Sequence, residues 1–355
     1  MPVRWLEAKS LVLKPTTMAR YRTYVERDLI PAIGDVPLDD LDYKHLHAFV
    51  TAQLHHGRGK VTVHRIMATL SSALGEAVTR HRLGHNPAQP TLIPRPRSAE
   101  RHLWTAKEAA RFLRFTHTTD PMFADLAELM IGTGMRKGEA LALRWDDVHR
   151  DERIVFIRAT LSAVDNNQLQ LTTPKTKGSR AWVALSDRVA TAIDDRAGTR
   201  VFGQINPAGG YVFHRHDRPL HPKYALEHFH LLCKRAGVPR IALHDLRHLS
   251  AGFAMDAGVP LPAVSKTLRH RTLSTTANIY SELSPAAVRA AVDAIAWILN
   301  TAERTVIGSP ACRARRPWRQ QPRAHRPLPA HQPSRNDEPS DSWPKWPGDH
   351  HATTS

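Results

Sequence analysis

The sequence predicts a mainly helical protein with one small antiparallel β-sheet, an α+β fold in two folded parts followed by a tail. Three observations predict it. Apolar residues recur at helical spacing through residues 16–85 and again on both sides of 153–185. Between those blocks lies one island, RIVFIRA, LQLTT and AWVAL, that is β-branched or alternating and broken by turn-like NN and KTKGS. Proline-rich stretches at 86–102 and beyond 301 lack aliphatic periodicity, and they separate or end the folded parts.

The first part reads as helices only. TMARYRTYVERDLI places Tyr21, Tyr24, Val25 and Leu29 on one face and is expected to stop before Pro31 and Gly34. A second helix starts from an Asp42 cap, carries Leu46, Phe49, Val50 and Leu54, and ends at Gly57. A third carries Val63, Ile66, Met67, Leu70, Leu74 and Val78, with Gly84 closing it. These form a small helical domain over 1–86, whose polar face holds Arg58, Lys60, His64, Arg65, Arg80 and Arg82. Such a face suits phosphates, and a basic helical face also suits plain solvent.

Residues 87–104 read as an extended linker. The second domain, 105–300, opens on TAKEAARFL, where Thr105 and Glu108 have capping-box spacing. Helices resume after Ser186 and run to about Asn300. Residues 301–355 hold nine of the 26 prolines and are expected to be a disordered basic tail.

Composition narrows the function. The formal charge is +17 and the sequence pI about 10.4, which favours a polyanionic partner, nucleic acid first. No apolar run approaches the roughly 18 residues of a spanning helix, and MPVRWLEAKSLVLKP has no apolar leader core, so a cytoplasmic, nucleoid-associated protein is expected. The two cysteines, Cys233 and Cys312, build neither a disulfide framework nor a metal site. HExxH and GxxxxGK[ST] are both missing, so the chemistry is expected to need no metal, nucleotide or other cofactor.

Four separated patches of the second domain carry residue types suited to one chemistry. GTGMRKGEAL sets Arg136 in a glycine-flanked turn at a helix start, a natural anion seat. TPKTKGSR sets Lys175 and Lys177 on a tight turn between two strands, from which a lysine can protonate a leaving oxygen. ALHDLRHLSAGFAMDAG sets His244 and Arg247 three apart on one helix face, while His248 is expected to point elsewhere. LRHRTLSTTANIYSEL brings His270 and Tyr280. Alone, each has a plain structural reading: a surface arginine, a soluble turn, a half-buried phenol. Together they hold no carboxylate pair for a metal, but they can clamp one phosphodiester, with the arginines on its non-bridging oxygens and a phenol as nucleophile.

TGMRKGEALALRWDDV, PKTKGSR, LHDLRH and LRHRTLSTTANIYSEL, in that order, resemble the tyrosine recombinase, or phage-type integrase, family. The resemblance covers nearly all of 10–300. It implies a core-binding N-terminal domain and a catalytic second domain closing on duplex DNA as a clamp. It also implies a homotetramer on synapsed DNA, monomer or weak dimer when free, with accessory DNA-bending or excisionase proteins as further partners. Tyr280 would be the nucleophile that forms a 3′-phosphotyrosine. Arg136 and Arg247 would bind the phosphate, His244 and His270 would assist, and Lys175, which opens the KT pair, would be the general acid. Arg58, Lys60, Arg65, Lys177 and Arg180 are candidate DNA contacts.

This chain has Arg269 where the family usually has glycine before the second histidine, and a side chain there is expected to crowd the turn or add a phosphate contact. Only about fifteen residues precede the first predicted helix, so an arm-binding domain is expected to be absent or truncated. The apolar stripe Val288, Ala291, Val292, Ile295 and Leu299 suits packing on its own domain's core in a free monomer, and the resemblance implies docking on a neighbouring protomer in the tetramer on DNA, as the corresponding segment does in the family. A competing reading takes DAGVPLPAVSKTLRH as the helix-turn-helix of a transcriptional regulator, with VSKTL on the recognition helix. A catalytically inactive integrase remnant and a type IB topoisomerase also fit the same motifs.

Overall fold

The computed structural model describes residues 2–94, 96, 102–164, 168–172, 182–198, 210–269 and 285–307. All of them belong to one unit, 1–312, which holds two large apolar cores.

The first core is helical. Helix α1 (Pro2–Ser10), which periodicity did not reveal, inserts Trp5 and Leu6, and the Trp5 ring stacks on Tyr21 of α2 (Pro15–Tyr24) at 5.5 Å. The expected stop before Pro31 does not occur. A π-helical turn at Val25–Leu29 runs directly into α3 (Ile30–Ile33), so the change of hydrogen-bond pattern falls just before Pro31, which has no N–H to give. Helix α4 (Tyr43–His55) starts from the expected Asp42 cap, whose carboxylate accepts the His45 N–H at 3.1 Å. Helix α5 (Lys60–Thr79) buries Val63, Ile66, Met67 and Leu74 and ends before Gly84, at Arg80. The proline-rich segment is packed down where it begins. Asn86 Nδ2 donates to Ser71 O at 3.0 Å, Ile93 O meets His64 Nδ1 at 3.1 Å, and Ala88 and Ile93 join the first core.

The second core starts at Trp104, whose indole N–H donates to Pro239 O at 2.7 Å. Helix α6 (Ala106–Thr119) has the capping box read from sequence: Thr105 N–H donates to Glu108 Oε2 at 2.8 Å and Glu108 N–H to Thr105 Oγ1 at 3.3 Å. Helix α7 (Pro121–Thr133) is buried along nearly its whole length and ends at Gly134, and α8 (Lys137–Leu141) follows at once.

The β-island is arranged differently from the sequence expectation. Strands β1 (Val148–His149), β2 (Ile154–Phe156) and β5 (Trp182–Ala184) form one antiparallel sheet in the order β1-β2-β5. Strands β3 (Thr160–Val164) and β4 (Gln168–Thr172) form a separate ladder. The two strands flanking TPKTKGSR, β4 and β5, therefore do not pair with each other. Thr160 faces Thr172 and Phe156 faces Trp182, so 157–159 connect the strands on one side where 173–181 connect them on the other. Residues 173–181 lie outside the described residues.

Helix α9 (Asp187–Gly198), a short hairpin of β6 (His214–Arg215) and β7 (Arg218–Pro219), and α10 (Pro222–Ala236) lead to α11 (Asp245–Asp256) and α12 (Leu261–Leu268). The last helix, α13 (Pro285–Ile307), runs past the expected end at Asn300 into residues read as tail. Its predicted stripe exists, and it packs on its own domain. Ala291, Val292, Ile295 and Leu299 are buried, and the helix lies against α6, α7, α11 and α12. Arg188 of α9 locks it there, pairing with Glu303 at 2.7 Å, with Asn300 Oδ1 at 2.8 Å and with the buried Glu128 of α7. Docking of this helix on a neighbour is thus not its arrangement in the single chain.

Candidate active site

Three predicted residues converge where α8 and α11 begin and α12 ends. Gly134 ends α7 in the left-handed region (φ +62°), and a Cβ there would lie 2.1 Å from Leu268 Cδ2. Only glycine lets the chain turn so close beneath the end of α12. The turn delivers Arg136 to the first position before α8, half-exposed, with Nη1 on Glu139 Oε1 at 2.7 Å and Nη2 donating to Arg269 O at 3.3 Å. The Arg136 backbone N–H donates to Glu139 Oε2 at 2.9 Å, so that amide is engaged, and guanidinium groups make the anion seat.

Arg247, one turn into α11, is buried (3% exposed). Its Nη1 donates to Gly134 O at 2.5 Å and its Nη2 to Leu268 O. The carbonyls that end α12 therefore hold both arginines, as the negative end of a helix should. Burial first, then the nearby Arg136 and Arg269 cations, pull the Arg247 guanidinium down to about 9, with Glu139 opposing. A cluster of this kind, rich in cations and short of anions, gains from an entering oxyanion.

His244 occupies the cap of α11 as a partly exposed residue, and Arg247 N–H donates to its carbonyl at 3.1 Å. Contrary to the sequence expectation, His248 does not turn away: its ring meets His244 edge-on, centroids 5.4 Å apart. Shielded surroundings, then His248 and Arg247, hold the His244 pKa below the ordinary histidine value, so the imidazole is neutral near pH 7 and able to accept a proton.

One residue of the site, Glu139, escaped the sequence reading, and so did the pairing of Arg269 with it. Glu139 is buried, and its pKa lies below the usual carboxylate range because Arg269 first and Arg136 next outweigh the effect of burial. The spacing Arg136-x-x-Glu139 at a helix start was the signal for it. Arg269 closes α12 in the left-handed region (φ 55°, ψ 46°), with its side chain buried against Glu139.

His270, Tyr280, Lys175, Lys177 and Arg180 lie outside the described residues. His270 follows directly in the chain on Arg269, whose carbonyl Arg136 holds. Of the N-terminal candidates, Lys60 and Arg65 are exposed on α5. Arg58 pairs with the buried Asp28 at 2.8 Å and serves the fold in addition to any DNA contact. Among the described residues no cluster of His, Cys, Asp or Glu could hold a metal ion. Burial pushes the Cys233 thiol up to about 12, leaving it inert at neutral pH.

Comparison with known proteins agrees with this arrangement. Residues 103–286 match the Phage integrase family and residues 3–91 the Phage integrase central domain. The chain belongs to the phage integrase family. Among relatives of this integrase, the ICEBs1 integrase of Bacillus subtilis (strain 168) is 24% identical over 254 residues, covering 70% of this chain and 68% of that one. A tyrosine recombinase XerC-like protein of Caldanaerobacter subterraneus is 24% identical over 309 residues, covering 79% and 78%. In fold the integrase is similar to the Tn1549 transposon integrase in complex with transposon right end DNA, with a TM-score of 0.66 at 18% identity over 83% of this chain and 98% of that one. It is also similar to a lambda integrase tetramer bound to a Holliday junction, with a TM-score of 0.59 at 18% identity over 77% of each chain.

Proposed function

We propose that this integrase is a site-specific recombinase that cuts and rejoins duplex DNA through a 3′-phosphotyrosine on Tyr280, integrating or excising a mobile element. The observation that carries this reading is the buried Arg247 beside Arg136, crowded by cations and tied to the carbonyls that end α12, directly before His270 in the chain. One non-bridging oxygen for each guanidinium would balance the charge that builds in the transition state. The Tyr280 oxygen attacks phosphorus, the bond to the 5′ oxygen breaks, and Lys175 gives that oxygen its proton. The neutral His244, with His270, takes up the phenol proton or orients the phosphate. The phosphotyrosine keeps the bond energy, so a 5′-hydroxyl of another strand can reverse the step without ATP.

The N-terminal helical domain would complete the grip on DNA through Lys60 and Arg65, with Lys177 and Arg180 from the other domain. Strand exchange then needs four protomers on synapsed DNA, with accessory DNA-bending or excisionase proteins as further partners. Action on chromosomal DNA would place the protein in the cytoplasm at the nucleoid. The regulator reading loses its main support, because Ala263, Val264, Ser265, Thr267 and Leu268 of α12 are buried and cannot read a major groove. The test is to incubate the chain with a library of nicked duplexes, trap covalent adducts and sequence their DNA. A unique site joined to Tyr280 is expected. Binding without any adduct would leave an inactive remnant or a regulator.

A further inference from the structure

The family's usual glycine before the second histidine would close α12 without strain, because glycine enters the left-handed region freely. This chain puts an arginine there, at φ 55°, ψ 46°, and then buries the side chain to 5% exposure. A surface arginine at such a position would be unremarked, but this one turns inward. Its Nη2 donates to Glu139 Oε2 at 2.7 Å, while Nε and Nη1 are buried with no hydrogen-bond partner among the described residues. A strained backbone, a desolvated cation and two unused donors form a costly combination unless the guanidinium acts on something.

What it acts on is Glu139. That carboxylate orients Arg136 twice, through Nη1 at 2.7 Å and through the backbone N–H at 2.9 Å. With Arg136 as its only cationic partner, Glu139 would hold the guanidinium in place but also cancel its charge and repel a phosphate. Arg269 shares the same carboxylate and supplies the opposite charge. With Arg136, Arg247 and Arg269 against one Glu139, the seat keeps two uncompensated positive charges, and without Arg269 it keeps one.

We propose that Arg269 is a positioning residue of the phosphate seat: it holds and neutralises the Glu139 carboxylate, so that Glu139 orients Arg136 without cancelling the charge Arg136 offers the scissile phosphate. This rests on the recombinase reading given above. Arg269 does not itself touch DNA. It lies behind Glu139, while Arg136 and His244 are the members of the cluster that face solvent.

The test uses the full chain and a nicked duplex carrying the site recovered by adduct sequencing, at saturating protein, with single-turnover cleavage and DNA affinity measured side by side. Arg269→Gly restores the family residue and relieves the backbone, so a purely structural role predicts unchanged or better behaviour. We expect instead a cleavage rate lower by about tenfold or more, with DNA affinity within about twofold of wild type. Arg269→Lys should recover a good part of the rate. In a Glu139→Gln background, Arg269→Gly should cost less than about twofold further, because the charge it neutralises is gone. Should Arg269→Gly fail to fold, Arg269→Gln, which keeps the arginine backbone and removes only the charge, is read in its place with the same expectation.

Wild-type cleavage by Arg269→Gly, or losses that multiply fully in the double variant, would overturn the role of Arg269 while leaving the recombinase reading intact. A wild-type chain that forms no adduct on any DNA would overturn both.

Discussion

At the scale of single residues, the seat depends on shape as much as on charge. Arg247 is held by two carbonyls, of Gly134 and Leu268, and Arg136 by Glu139 and the Arg269 carbonyl. A lysine keeps the charge in either place but cannot span two acceptors with a planar fork. Arg136→Lys or Arg247→Lys should therefore slow cleavage about 10²–10³-fold, the cost of losing one transition-state donor. Affinity should change far less, since the ground state spreads its binding over many phosphates. Parallel cleavage and binding assays check this, and equal losses in both would mean the arginines only position DNA. Gly134 is the backbone counterpart. Gly134→Ala forces an L-residue to φ +62° with its Cβ on Leu268, and roughly 2–4 kcal/mol of stability should be lost in urea titrations.

These residues differ in how legible they were. Arg136, His244 and Arg247 could be picked out because each sits in a short motif with its own spacing. Glu139 could have been, from its place three residues after Arg136. That Arg269 pairs with Glu139 could not, because the two meet only when α12 ends over α8.

At the scale of elements, the long periodic helices were readable, caps included, because their apolar faces and capping residues are local properties. The misses share a physical cause. Helix α1 is too short to show a period, Pro31 is absorbed by a π-turn, and the pairing of β5 with β2 instead of β4 depends on register between distant segments. Helix α13 shows how an apolar stripe reveals burial but not against what. Since its stripe fills the gap among α6, α7, α11 and α12, deleting 285–307 should unfold the part built on the second core. A stop after Ile307 should leave the melting temperature nearly unchanged. Thermal melts of the two truncations check this, and a folded 1–284 chain would show that the helix is not part of the core.

The packing around α7 also sets a pH dependence. Burial, then Asp195 and Glu128, raise the Asp125 pKa to about 7 against the pull of His117 and Arg196. The folded pKa lies above the unfolded value of 3.8, so the folded state binds the proton more tightly. That contribution is complete below the unfolded pKa and is lost as pH rises through about 7. Asp125→Asn should remove this dependence and stabilise the protein at pH 8 by up to roughly 4 kcal/mol relative to wild type. Melts at pH 5 and pH 8 give the answer, and equal shifts at both would rule out a titrating Asp125.

At the scale of the whole molecule, two cores and a charge of +17 make a protein built to hold a polyanion. The proline-rich break was read as a boundary because it interrupts the periodicity. It falls between the two apolar cores, although its first half packs on the N-terminal one. Helix α2 meets β3 across the two parts, lining a pocket with Thr16, Ala19, Arg20, Thr23, Tyr24, Ala163 and Val164. The central claim is that Tyr280 joins itself to DNA. The most direct measurement is peptide mapping of the trapped adduct by mass spectrometry, with Tyr280→Phe alongside. The expected result is a nucleotide on the peptide that contains Tyr280, and a Phe variant that binds the same duplex yet forms no adduct. A nucleotide on another residue, or a Tyr280→Phe chain that still cleaves and rejoins, would contradict it.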